Sequence, residues 1–209
     1  MSFPPKRLIF GEHHFIVSKS VYQPAEDTFL LAENLNVKKG ESVLDMGAGC
    51  GILAVLAAED AGKVVAVDIN PYAVACVRKN AEMNGVLGKV ETRQGDLFEV
   101  VMADERFDLI LFNAPYLPVE EGEGKSWAER AWSGGKTGRK IIERFINEAT
   151  EYLKENGRIL LVQSSLSNIA KTLEQLSQHE LQVIILGKKK LDFEEIVLIE
   201  ARKTRQPYP

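Results

Sequence analysis

Four short runs constrain this chain more than anything else in it: "SVLDM" (42–46), "VVAVD" (64–68), "DLILF" (108–112) and "RILLV" (158–162). Each is almost continuously apolar, with a single charged residue, and reads as a strand. A strand with one wet face alternates polar and apolar residues; these do not, so both of their faces must be covered, as in a parallel sheet flanked by helices. Helical patterns fill the gaps. Asn70 followed by Pro71 reads as a cap and first-turn proline, with Gly85 at the stop. In 140–153, Ile141, Ile142, Phe145, Ile146, Ala149, Tyr152 and Leu153 share one stripe, and Gly157 reads as its end. Leu166, Ile169, Ala170, Leu173 and Leu176 make another. "KVETR" (89–93) is a weaker strand candidate. The last two β-rich runs, "LQVIILG" and "FEEIVLIEA", have too little chain between them for a crossover helix and should pair antiparallel. The expected fold is α/β, a Rossmann-like doubly wound seven-stranded sheet, mostly parallel with a C-terminal antiparallel hairpin.

Charge weighs against one broad class of function. Lys+Arg 26 against Asp+Glu 30 leaves a net charge of −4, without the basic excess by which proteins hold nucleic-acid phosphates. Cys50 and Cys76 have no CxxC or secreted-type spacing and read as reduced thiols. The sequence has no signal-peptide pattern and no apolar run long enough to span a membrane, so a soluble, cytoplasmic protein is expected. His13, His14 and His179 make no metal spacing, and no metal site is expected.

Residues 43–54, "VLDMGAGCGILA", run from strand through glycine loop to helix. Gly47, Gly49 and Gly51 allow a tight turn and close approach of a ligand. Their G-x-G-x-G spacing lacks the third glycine of the dinucleotide fingerprint, and Asp45 would repel a diphosphate. Asp45 suits an amine-bearing ligand instead. Asp68 ends the next strand, where a carboxylate can take both hydroxyls of a ribose. Asp96, in "QGDLF", follows "KVETR" and can accept from an adenine amine.

The set "LDMGAGCG", "VVAVDINP" and "GDLF" resembles the class I S-adenosylmethionine-dependent methyltransferases. The resemblance implies S-adenosylmethionine as cofactor, with Asp45, Gly47 and Gly49 facing its methionine portion, Asp68 its ribose, and Asp96 with Leu97 its adenine. After the 108–112 run comes "NAPYLP", and "NAPY" is similar to the Asn/Asp-Pro-Pro-aromatic motif by which one subset methylates planar nitrogens. Such a nitrogen has a delocalised lone pair and needs orientation rather than simple deprotonation. By that resemblance Asn113 and the Ala114 carbonyl grip its N–H groups, Tyr116 stacks on its plane, and Asn113 also lies against the cofactor. Pro115 restricts Ala114 to extended backbone, so the carbonyl direction survives the missing first proline.

"VYQPAEDTFLL" (21–31) is similar to the opening segment of the HemK-like glutamine methyltransferases of archaea and eukaryotes. This implies Thr28 over the cofactor, with Tyr22, Pro24 and Glu26 shaping a lid. It also implies a class I translation termination factor as substrate, modified on the glutamine of its Gly-Gly-Gln loop, and a small zinc-binding activator subunit as partner. The expected organisation is a single domain over 1–209, with an N-terminal extension (1–22) in place of the bacterial relatives' extra domain. Residues 117–138 form an inserted substrate loop holding Trp127 and Trp132, at least one of which packs. Three other readings stand beside this one: an RNA adenine-N6 or guanine-N2 methyltransferase, a catalytically weak cofactor-binding partner protein, and, more remotely, an NAD dehydrogenase. DNA methylation would need a target-recognition region for which there is little room.

Overall fold

The computed structural model describes residues 5–120 and 126–203. The first element is a separate hairpin, β1 (Lys6–Phe10) with β2 (His13–Val17). Then follow α1 (Glu26–Glu33), β3 (Ser42–Met46), α2 (Ile52–Ala58), β4 (Lys63–Asp68), α3 (Pro71–Met83), β5 (Val90–Gln94), β6 (Phe107–Asn113) and the short α4 (Trp127–Arg130). The chain continues through α5 (Lys140–Ala149), β7 (Leu153–Ser164), α6 (Ile169–Gln178), β8 (Leu181–Lys190) and β9 (Glu195–Lys203). Among the described residues seven strands form one sheet in the order β5-β4-β3-β6-β7-β9-β8. The first five pair in parallel, while β9 runs antiparallel to both of its neighbours. This is the expected seven-stranded, mostly parallel α/β sheet with its antiparallel C-terminal hairpin. The apolar runs fill its middle: Val43, Leu44, Val64, Val65, Leu109, Ile110, Leu111 and Leu161 have no exposed surface.

Local chemistry explains where the helices sit. Asn70 Oδ1 accepts from Tyr72 N at 2.9 Å to cap α3, an arrangement worth about 1 kcal/mol, and Pro71 occupies the first turn. Further along α3, two asparagines one turn apart act as a surrogate strand edge for β2. Asn80 accepts from Ile16 N and donates to Ile16 O, while Asn84 does the same with His14. Asn80 also donates to Cys50 O at 2.7 Å, which couples the N-terminal hairpin to the glycine loop. Nothing in the sequence pattern marked this hairpin within the 1–22 extension.

Two sequence expectations need correction. The stripe through 140–153 is not one helix ended by Gly157: α5 stops at Ala149, a 3₁₀ turn carries Thr150–Tyr152, and Leu153 already belongs to β7. Asn156 takes φ +61, and a Cβ on Gly157 would sit 2.8 Å from Lys154 O and 3.0 Å from Phe107 O. That glycine therefore serves close strand approach at a register shift between β6 and β7 rather than a helix stop. In the second stripe Leu166 precedes α6 and is exposed, as is Ala170. Leu176 is buried as expected, with Ile169 and Leu173 packed against the core, but the inner face of α6 also carries Thr172, because buried Arg139 needs oxygen partners there: it donates to Thr172 Oγ1, to Gln175 Oε1 and to the carbonyls of Ser167 and Asn168.

Candidate active site

A cavity of about 730 Å³ opens at the carboxyl ends of β3, β4 and β6. β3 leads to β4 on one side of the sheet while β6 joins it on the other, so the cavity lies at the point where strand order reverses, the general ligand site of open α/β sheets. Of the residues singled out in the sequence, Tyr22, Pro24, Glu26, Thr28, Gly47, Gly49, Asp68, Asp96, Leu97, Asn113, Ala114, Pro115, Tyr116, Trp127 and Trp132 all line it. Asp45 does not.

At one end stands the glycine loop. Gly47, Gly49 and Gly51 take φ of +65, +57 and +85, which only glycine adopts without strain. A Cβ on Gly51 would also meet Val77 Cα at 2.9 Å, so α2 could not start against α3. Asp68 locks the loop: its Oδ2 accepts from Gly49 N and its Oδ1 from Asn70 N, both at 2.8 Å. Burial raises its pKa against these two stabilising donors. Asp96 is held by Arg144, whose Nη1 donates to Oδ2 at 2.9 Å and Oδ1 at 3.2 Å. Beside it Leu97 is buried at φ +49, a costly conformation for a branched side chain and one found where a site demands it. Asp45 is fully buried beneath the loop, and burial, opposed only in part by the Ala54 backbone N–H, pushes its pKa up to about 8.

The other end is built around a residue the sequence reading passed over, Asp27. Buried at the start of α1, it accepts from Tyr22 OH at 3.1 Å, Tyr116 OH at 3.1 Å, Thr28 N at 2.6 Å and Thr28 Oγ1 at 3.2 Å. Burial and then the negative charge of Asp27 push both phenols far above the ordinary tyrosine range, so they remain protonated donors. The Thr28 hydroxyl has a single proton and gives it to Asp27. Toward Asn113 it can only accept, and it does so from Nδ2 at 3.1 Å. That fixes the amide's orientation and leaves Asn113 Oδ1 buried with no donor among the described residues. The sequence thus places an aimed, empty acceptor at the end of β6.

The inserted segment closes over this end, and its residues 121–125 lie outside the described part. Leu117 N donates to Trp132 O, Gly134 N to Leu117 O and Val119 N to Gly135 O, so the strand leaving "NAPY" is paired along the loop's return. Gly138, at φ +70, lies against the Tyr116 carbonyl where no side chain fits. Trp127 and Trp132 are half-buried, and the Arg130 guanidinium lies 4.8 Å over the Trp127 ring. Glu26 turns its carboxylate outward to Lys189 Nζ at 2.6 Å. Besides Asp27, the sequence reading missed Arg144 and Glu194. Asp27 was visible inside the quoted "AEDTF", but on a helix start it looks like a dipole-satisfying acid; Arg144 and Glu194 carry no local signal.

Comparison with known proteins is consistent with this geometry. The family model described as "Methyltransferase small domain" matches residues 15–130. A protein of Methanocaldococcus jannaschii, provisionally named as a protein N5-glutamine methyltransferase, is 43% identical over 183 residues, 87% of this chain and 91% of that one. The release factor glutamine methyltransferase of Geobacter sulfurreducens is 34% identical over 157 residues, covering 70% of this chain and 54% of its own length. Among solved structures, the E. cuniculi Mtq2-Trm112 complex, titled as responsible for methylation of the eRF1 termination factor, matches 88% of this chain and 99% of its own at a TM-score of 0.69 and 23% identity. The M. jannaschii tRNA m1G37 methyltransferase matches at 0.72 and 20% identity, covering 99% of this chain and 59% of its own. At such identities the two structures establish the shared fold alone.

Proposed function

The chain belongs to the methyltransferase small-domain family, and from that premise we propose that it transfers a methyl group from S-adenosylmethionine to the side-chain amide of a glutamine. The glutamine is that of the Gly-Gly-Gln loop of a class I translation termination factor. The observation that carries this reading is Asn113: its Oδ1 is a buried acceptor with no donor among the described residues, held in orientation by the Asp27–Thr28 relay. An acceptor of that kind selects a ligand bearing N–H, and a primary amide supplies two. Asn113 Oδ1 takes one and the Ala114 carbonyl the other, so the nitrogen's open face is aimed rather than deprotonated. The Tyr116 and Tyr22 phenols, kept protonated by burial, are not the base. They brace Asp27 and help keep water out.

The cofactor end fits S-adenosylmethionine, which when bound supplies a methyl on a positively charged sulfur. Gly47 and Gly49 leave backbone open to its methionine portion. Asp68 has lone pairs remaining beyond its two backbone donors, enough for ribose hydroxyls. Asp96 and Leu97 flank the adenine position together with Ile69, an exposed apolar side chain lining the same cavity. Because Arg144 already engages Asp96, the adenine amine there shares that carboxylate.

The same reading takes residues 1–209 as one methyltransferase domain working in the cytoplasm, with 1–22 as its extension and 117–138 as its substrate loop. A small zinc-binding activator subunit belongs to it too, suggested by the Trm112 partner of the E. cuniculi relative. Among the described residues, no helix is long and apolar enough to cross a membrane. The test is transfer of labelled methyl to the termination factor and to bulk RNA in parallel, with and without a co-expressed activator, followed by mapping of the modified residue. Label on the loop glutamine is expected. Label on RNA alone would replace this reading with that of a base methyltransferase.

A further inference from the structure

The β8–β9 turn brings a second acid to the substrate end. Leu191 N donates to Glu194 O at 2.8 Å to close the turn, and both residues line the cavity that holds Asn113 and Tyr116. Glu194 Oε2 is buried and takes no hydrogen bond among the described residues. The Tyr22 and Tyr116 hydroxyls of the same cavity cannot serve it, because each spends its only O–H on Asp27. Its charge nevertheless reaches both phenols and adds to their upward shifts. Phe193, next to it, is 94% exposed at the tip of the turn. A desolvated acceptor without a donor lowers the stability of the free protein, so the fold keeps one only where something else supplies the donor.

We propose that Glu194 is a specificity-determining residue whose Oε2 accepts an N–H from the polypeptide flanking the target glutamine, with Phe193 lying against the same segment. The proposal rests on the glutamine reading of the site. Asn113 ends β6 and Glu194 starts from the opposite hairpin, so the two acceptors hold the substrate chain at two separated points. One fixes the reacting amide; the other fixes the direction in which the chain leaves it. The donor is a main-chain amide or a cationic side chain, the same N–H chemistry from two sources.

Steady-state kinetics of the full chain with the termination factor would test this, using Glu194→Gln and Glu194→Ala. For Glu194→Ala, KM for the factor should rise about tenfold or more, with kcat and cofactor Kd within about threefold; Glu194→Gln, which keeps an acceptor, should fall between. The KM gap should shrink in high salt if the donor is cationic and persist if it is a main-chain amide. Melting temperature gives an independent readout: Glu194→Ala should match or exceed the wild type, since it removes the idle buried acceptor. An unchanged KM against an active wild type, or a Glu194→Ala melting temperature lowered by several degrees, would overturn the proposal. Failure of the wild type to label the factor would instead remove the glutamine reading, while the thermal arm would still judge whether Oε2 stands idle.

Discussion

The two ends of the cavity treat their polar groups in opposite ways. At the glycine-loop end the carboxylates that line the cavity already have donors: Asp68 from Gly49 N and Asn70 N, Asp96 from Arg144. At the "NAPY" end two acceptors, Asn113 Oδ1 and Glu194 Oε2, are buried and have no donor among the described residues. The first end is preorganised by its own backbone and can hold a ligand by shape with lone pairs to spare. The second has its acceptors aimed and lacks only the N–H groups of another molecule. A binding protein needs the first arrangement alone. A transferase that must orient a poor nucleophile needs both.

Substitutions at each end should separate accordingly. The largest effect is expected from Asn113→Ala: turnover falls about 10²-fold or more while cofactor Kd stays within a few-fold, measured by single-turnover labelling and calorimetry. If affinity collapsed together with turnover, the two ends would not be separable. Asp68→Ala should do the reverse, weakening cofactor binding by about tenfold or more before chemistry is affected, since the loop loses its lock as well as a ribose acceptor. Thr28→Val is subtler: it keeps the shape but frees the Asn113 amide to rotate. The change removes the hydroxyl's bond to Asp27 as well as the one from Asn113, but only the second aims the reacting amide; at roughly 0.5–1.5 kcal/mol for that bond, kcat should drop about tenfold or less with cofactor binding unchanged.

Asp45 offers a test by pH. Its pKa is raised from the ordinary 3.8 to about 8 by burial, so between those values the folded protein holds a proton that the unfolded chain has released. Its contribution to stability therefore falls as pH rises through that window. Asp45→Asn should melt higher than the wild type, by a margin that widens from about pH 5 to pH 8 and then levels. A margin independent of pH would show that the carboxyl finds a partner. The smallest effect is expected from Ala114→Pro. Ala114 is buried, and Pro115 already restricts its backbone, so turnover should change by less than about threefold. A large gain would mean that the alanine marks a degraded site.

The fold was legible because its signals were local and repeated. Apolar runs bounded by caps and glycines located β3, β4, β6 and α3 to within a residue or so. What failed depended on partners elsewhere in the chain. Gly157 looked like a helix stop but faces the Phe107 carbonyl on the next strand, and Thr172 took a core position because Arg139 is buried opposite. In the site, single residues at strand ends could be named, since Asn113, Asp68 and Asp96 sit at the carboxyl ends that face any ligand of such a sheet. The relay from Asp27 through Thr28 to Asn113 could not, because it joins α1 to β6 across 85 residues. Nor could Glu194, whose meaning comes only from the donors it lacks.

The most direct test of the two-ended account replaces the target rather than the enzyme. Wild-type protein and labelled cofactor would be given the termination factor carrying its loop glutamine, and the same factor with that glutamine changed to glutamate, which has the same shape but no N–H to offer. The account predicts methyl on the glutamine nitrogen and none on the glutamate, with binding of the second factor weakened as well. Comparable labelling of the glutamate factor would mean that the empty acceptors at the "NAPY" end do not select the substrate.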